Sequence, residues 1–183
     1  MRERAPVDVA VRYFATVEAM VRNLGRLIEA ARAAGVQVAY SHLAAHTVDG
    51  RDVPEQMRHL GLFAGEGTKE AQIIERIAPQ RHDLVLPRTT LSVFTPRTGD
   101  QLLRNLGVET LVIAGTLTDA SIASTARDAG DRGYRTVVIE DACAALSPEE
   151  HRAALAPLGL WYGHVVTSDV VVAAIRGGSV VAG

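Results

Sequence analysis

Cysteine is almost absent from this sequence: Cys143 stands alone among 183 residues, which excludes an intramolecular disulfide and a cysteine-rich zinc site. Aromatic residues make up only 4% of the chain, and no Arg-rich stripe with interleaved aromatics appears, so nucleic acid is not an expected partner. No apolar run reaches transmembrane length and no charged-then-apolar leader is visible, so no membrane partner is expected and the expected location is the cytoplasm. Neither sign of charge dominates, with 19 basic against 21 acidic residues and a net charge of −2. What remains is 48% hydrophobic and 22% charged, an ordinary globular composition. The length fits one domain over 1–183, long enough to bury a full core.

Hydrophobic spacing sets out the elements. Val17, Met20, Val21, Leu24, Leu27, Ile28 and Ala31 recur at three and four residues, which gives a helix one apolar stripe. Gly35 follows where a left-handed residue ends a helix, and a short apolar strand is expected over 36–40. The unit then repeats. A helix over about 71–77 leads to a strand over 83–86, and a helix over 100–106, stopped by Gly107, leads to a strand over 110–114. A helix over 121–132, stopped by Gly133, leads to a strand over 136–139. Ser147, Pro148 and Glu150 form a capping-box start for the next helix, which leads to a strand over 164–167 and a last short helix from about Asp169.

Short, uniformly apolar strands alternating with helices indicate an α/β fold: a three-layer, doubly wound, mainly parallel sheet covered on both faces. In such sheets ligands bind outside the carboxyl ends of the strands, so the turns after Tyr40, Leu86, Ala114, Ile139 and Thr167 are the places to look. Residues 48–67 lack clean periodicity, and Gly61, Gly65 and Gly67 mark them as a loop over the site or at a subunit contact.

The run 111–129 is the most informative. A buried strand ends at Gly115, turns through Thr116, Leu117, Thr118 and Asp119, and enters a helix near Ser121. A helix N-terminus presents unpaired N–H groups and the positive end of its dipole, a setting for a developing oxyanion.

With this run, the sequence resembles the isochorismatase-like hydrolases, which include nicotinamidases, N-carbamoylsarcosine amidases, ureidoacrylate hydrolases and isochorismatases. The resemblance covers roughly 28–171. It rests on 83–88 (Asp-Leu-Val-Leu-Pro-Arg) with Ser92, Val93 and Phe94, on 115–129, on 132–135 (Arg-Gly-Tyr-Arg), and on 140–143 (Glu-Asp-Ala-Cys). It implies a Rossmann-like sheet, a small-molecule substrate, no cofactor, and a homodimer or higher homo-oligomer. The family's amidases use an aspartate at the end of the first strand as base, a lysine after the third strand, and a cysteine nucleophile on this turn.

Three departures stand out. The cysteine position holds Ser121, the lysine position holds Arg88, and the first-strand aspartate has no counterpart. A serine hydroxyl is far less ionised than a thiol and needs a well-placed base. Arg88 keeps the charge and can orient an anion, but an ordinary arginine pKa above about 12 prevents proton exchange. Members that hydrolyse the vinyl ether of isochorismate lack the cysteine and rely on the aspartate as acid, so the missing aspartate is the more serious loss. Ser121 and Arg88 are the catalytic candidates; Leu117 and Thr118, with the Ser121 N–H, are the oxyanion candidates, and Phe94 either lines the pocket or packs beneath it.

The resemblance also implies strand order 3-2-1-4-5-6, with the first strand central. An empty slot there strands backbone groups at about 1–3 kcal/mol each. The upstream candidate is 7–11 (Val-Asp-Val-Ala-Val), which places Arg12 or Tyr13, not an acid, at its carboxyl end. The alternative is that the usual first strand is missing and a partner or a rearranged sheet closes the gap.

Other residues carry weaker expectations. Cys143 reads as a small buried hydrophobe. His42, His46 and Asp49 lack the family's metal spacing and read as loop residues, so no metal is expected; His151 is expected on a helix surface, and His164 in a buried strand. Two functions follow: a hydrolase of a small amide, carbamoyl or enol-ether metabolite through an altered site, or a catalytically inactive member that binds a small anion or associates with a partner.

Overall fold

The computed structural model describes residues 7–95 and 97–178. In chain order these form α1 (Val7–Ala33), β1 (Ala39–Leu43), α2 (Glu55–Leu60), β2 (Leu84–Arg88), α3 (Arg97–Asn105) and β3 (Thr110–Thr116). There follow α4 (Ala123–Asp131), β4 (Arg135–Ala144), α5 (Pro148–Trp161), β5 (His164–Val166) and α6 (Ser168–Arg176). Every strand pair is parallel: β1 with β2, β3 with β4, and β4 with β5.

Side chains of β4 alternate between two cores, which makes the third layer visible. Val137 and Ile139 pack with Leu27 and Ala30 of α1 and with Val171 and Val172 of α6. Val138 faces the other way, toward Ala126 and Ala129 of α4 and Leu155 and Leu158 of α5. Period-two burial on both faces is what a covered parallel strand requires. Asp141 ties the first layer together: its carboxylate accepts from Ser168 N and Ser168 Oγ, both at 2.6 Å, and Asn23 Nδ2 donates to its carbonyl at 2.7 Å.

The ends of the elements follow local chemistry. Ser147 Oγ accepts from Glu150 N at 3.2 Å and caps α5, as its sequence predicts. Gly35, at φ 71°, ends α1, and Val36 N then bonds back to Ala31 O at 2.9 Å. That closing turn uses the residues expected to open the strand, so β1 starts at Ala39 rather than at 36.

Three further expectations are corrected. Residues 71–77 are not a helix but two isolated 3-10 turns, Lys69–Ala71 and Glu75–Ile77. Residues 48–67 are more ordered than a bare loop: they hold α2, bury Val53 and Met57, and bridge Ala45 to Gly65.

The third correction matters most. Residues 7–11 are helix, the opening turns of the 27-residue α1, and not a strand. Extending an existing helix costs the ordering of one residue per hydrogen bond gained, whereas a new strand needs partners on both sides. As a result, β1–β2 and β3–β4–β5 are two separate ladders. These are the pairings that the expected order has on either side of its central strand. Among the described residues no strand lies beside the free edge of β1 or of β3.

Candidate active site

The site forms where the carboxyl ends of the two ladders meet. β3 ends at Thr116, after Gly115 at φ 127° has paired with Cys143 across a register shift in β4. The expected α-helix does not begin at Ser121. Residues Thr118–Ile122 instead form a π turn, with Ile122 N bonded to Leu117 O at 3.1 Å, and α4 follows directly. Wide turns of this kind recur at functional sites. Here the turn buries Thr118 and Ser121.

Arg88, the last residue of β2, meets this turn. It is 7% exposed and uses its donors on neutral acceptors: Nε to Ser41 Oγ at 2.9 Å, one terminal nitrogen to Ser121 Oγ at 3.0 Å, and the other to the Thr90 carbonyl. Among the described residues, no aspartate or glutamate forms an ion pair with it; Asp119 on the turn is exposed and does not bridge to it. Burial without a counter-charge pulls the guanidinium down to about 10, still protonated at neutral pH. A cavity of about 450 Å³ opens beside it, lined by His46, Leu86, Thr90, Val93 and Thr98 among others. That volume suits a small metabolite.

The structure therefore joins Arg88 and Ser121, 33 positions apart, and places Leu117 and Thr118 on the same turn. The Thr116–Leu117 peptide is cis. Phe94 lies in the core beneath, its ring against Tyr134 with Arg132 over its face. Cys143 sits buried within β4, and burial pushes its thiol up to about 12, so it stays protonated and inert. His42, His46 and Asp49 do not converge: His42 Nδ1 faces the Ala71 carbonyl at 2.6 Å, His46 Nδ1 faces Glu66 at 3.4 Å, and Asp49 pairs with Arg51 at 3.8 Å.

Two histidine expectations change. His164 is exposed in β5 rather than buried. His151 lies on α5 as expected but is half-buried rather than at the surface: its Nδ1 lies 2.9 Å from Thr118 Oγ1, and burial lowers its pKa. Sequence reasoning missed this contact although a signal existed. His151 stands three, four and seven positions before Ala154, Leu155 and Leu158, all buried, so it shares their helix face.

Fold and site together define a doubly wound α/β protein with a buried arginine and a polar turn at the carboxyl ends of its strands. The chain belongs to the isochorismatase family: the isochorismatase domain model matches residues 7–170. It is 31% identical over 159 residues to a ureidoacrylate amidohydrolase from Rhizobium rhizogenes, covering 78% of this chain but only 65% of that relative's length. It is 30% identical over 171 residues to a maleamate amidohydrolase from Pseudomonas putida, covering 90% of this chain and 78% of the relative. A crystal structure of a cysteine hydrolase from Pseudomonas syringae pv. phaseolicola superposes with a TM-score of 0.82 at 26% identity, covering 88% of this chain and 82% of the other. Among the described residues no helix is long and apolar enough to cross a membrane.

Proposed function

We propose that this chain is a hydrolase of a small amide, carbamoyl or enol-ether metabolite, acting at the Gly115 turn through Arg88 and Ser121. The observation that carries this reading is the buried Arg88, bonded among the described residues only to neutral acceptors, beside Ser121 and a metabolite-sized cavity. A buried cation without a counter-charge is costly, and an anionic substrate group or a developing oxyanion supplies that charge. Ser121 Oγ attacks the carbonyl carbon, its proton leaves with the departing amine, and water releases the acid. The N–H groups of Leu117 and Ser121 serve as oxyanion donors, with Thr118 buttressing the turn. The relatives named as amidohydrolases of ureidoacrylate and maleamate support an amide as the first substrate class to assay.

A second reading has its own support. Among the described residues Ser121 Oγ has Arg88 as its hydrogen-bond partner, with no carboxylate or imidazole bonded to it to act as base. This favours an inactive member that binds a small anion. Steady-state assays and calorimetry on maleamate and ureidoacrylate separate the two. The hydrolase reading expects turnover, with Ser121→Ala abolishing it and Arg88→Met lowering kcat/KM by about 100-fold or more. Turnover untouched by Ser121→Ala removes Ser121 as nucleophile. Binding without turnover, lost in Arg88→Met, establishes the second reading. A homo-oligomer is part of either reading, supported by the exposed Leu160 and Trp161 at the end of α5, and light scattering tests it.

A further inference from the structure

The turn that carries Ser121 is held from two sides. Inside it, Ala120 N and Ile122 N both bond the carbonyl of Leu117, at 3.2 and 3.1 Å. Leu117 itself is extended and gives no side-chain cap. A wide turn of this kind is rare and short, so its shape depends on what surrounds it. Two side-chain bonds tie it to distant segments. At one end Arg88 of β2 donates to Ser121 Oγ at 3.0 Å, and at the other Thr118 Oγ1 meets His151 Nδ1 of α5 at 2.9 Å. Thr118 is fully buried, so its hydroxyl depends on protein partners.

His151 can hold the turn because its own position is fixed independently. Its backbone N–H bonds the Ser147 carbonyl at 3.1 Å, in the first turn of a helix that Ser147 caps. Leu155 and Leu158 then seat α5 in the same core as Ile122 and Ala123, which end the π turn and open α4. The imidazole therefore reaches Thr118 from a rigid support. Burial, opposed by Glu140 of β4 and aided by Arg152, lowers its pKa and leaves it neutral at neutral pH. A neutral ring has a donor on one nitrogen and an acceptor on the other, so it can meet the threonine hydroxyl in either sense.

We propose that His151 is a positioning residue of the candidate site: through Thr118 it fixes the π turn, and so sets where Ser121 Oγ and the N–H groups of Leu117 and Ser121 stand. Its bond is to Thr118 and not to Ser121, so the ring is not placed as a base for the hydroxyl. Thr118 stands three residues before Ser121, and a shift of about 1 Å at a reacting group costs about 100-fold in rate. The effect on turnover rests on the hydrolase reading; the hold on the turn does not.

Four proteins test it: the native chain, His151→Leu, His151→Asn and Thr118→Val. Leucine fills the space without a polar atom. Asparagine puts an amide nitrogen or oxygen where Nδ1 stands, yet cannot exchange a proton. Amide hydrogen exchange at Ala120 and Ile122 reads the turn, and kcat and KM on maleamate and ureidoacrylate read the site. In His151→Leu and Thr118→Val, exchange at those two amides is expected to quicken by about 10-fold or more while the amides of β4 stay protected. In the same variants kcat is expected to fall by about 30- to 100-fold with KM within about three-fold, and His151→Asn to keep both readings near native. Exchange unchanged in His151→Leu overturns the proposal, as does quickening that spreads equally across β4, which is loss of stability alone. His151→Asn no better than His151→Leu overturns it too, as does a native kcat in His151→Leu. If the native chain turns over neither substrate, the hydrolase reading fails by itself, and exchange at Ala120 and Ile122 decides this proposal.

Discussion

The two ladders of this molecule are built by different means. β4 is held by apolar packing on both faces: Ile139 and Ala142 are fully buried, and α1, α4, α5 and α6 all contribute to the surrounding cores. The β1–β2 pair has exposed positions along both strands, with Val85 at 44% exposure. It is anchored by polar ties, chiefly Arg32 to Asp83 and Tyr40 and Arg88 to Ser41 and Ser121. Apolar burial is thus concentrated in one ladder, and the candidate site lies where that ladder meets the more exposed one. Sites drawn from the less stable part of a fold are common, because binding often requires movement.

Substitutions can break this contrast or sharpen it. Ile139→Ala has the largest expected effect, a loss of about 2–5 kcal/mol in urea unfolding, because it leaves a cavity in a dense core. Gly163→Ala comes next, since a Cβ there meets the Thr136 carbonyl oxygen at 2.0 Å; a loss of about 1–3 kcal/mol is expected. Asp83→Asn tests the polar anchor through pH. The Arg32 hydrogen bond holds the Asp83 carboxyl below its ordinary 3.8, so its contribution is present above that value and lost as pH falls through the folded pKa. The stability gap between the native chain and Asp83→Asn is therefore expected to narrow below about pH 4. Val85→Thr is the smallest, within about 0.5 kcal/mol, and a loss as large as that of Ile139→Ala would mean that β2 is covered after all.

Much of the architecture was legible in advance because its signals are local. The Ser147 cap, the Gly35 stop and the alternation of apolar strands with helices each depend on a few neighbouring residues. Failures fell where local signals conflict. Val7, Val9 and Val11 alternate like a strand, yet they continue a long helix. The capping box depends on four adjacent residues, whereas the inward lean of His151 depends on the seven-residue pattern that follows it.

Sequence by itself determined the class of fold and the family, because these are matters of spacing and residue identity. Only the tertiary structure decided that Arg88 is buried and bonded to Ser121, that His151 meets Thr118, and that the described strands form two ladders, β1–β2 and β3–β4–β5. The physical reason is common to all three. Each depends on contacts or absences between segments far apart in the chain, and no window of neighbouring residues carries that information.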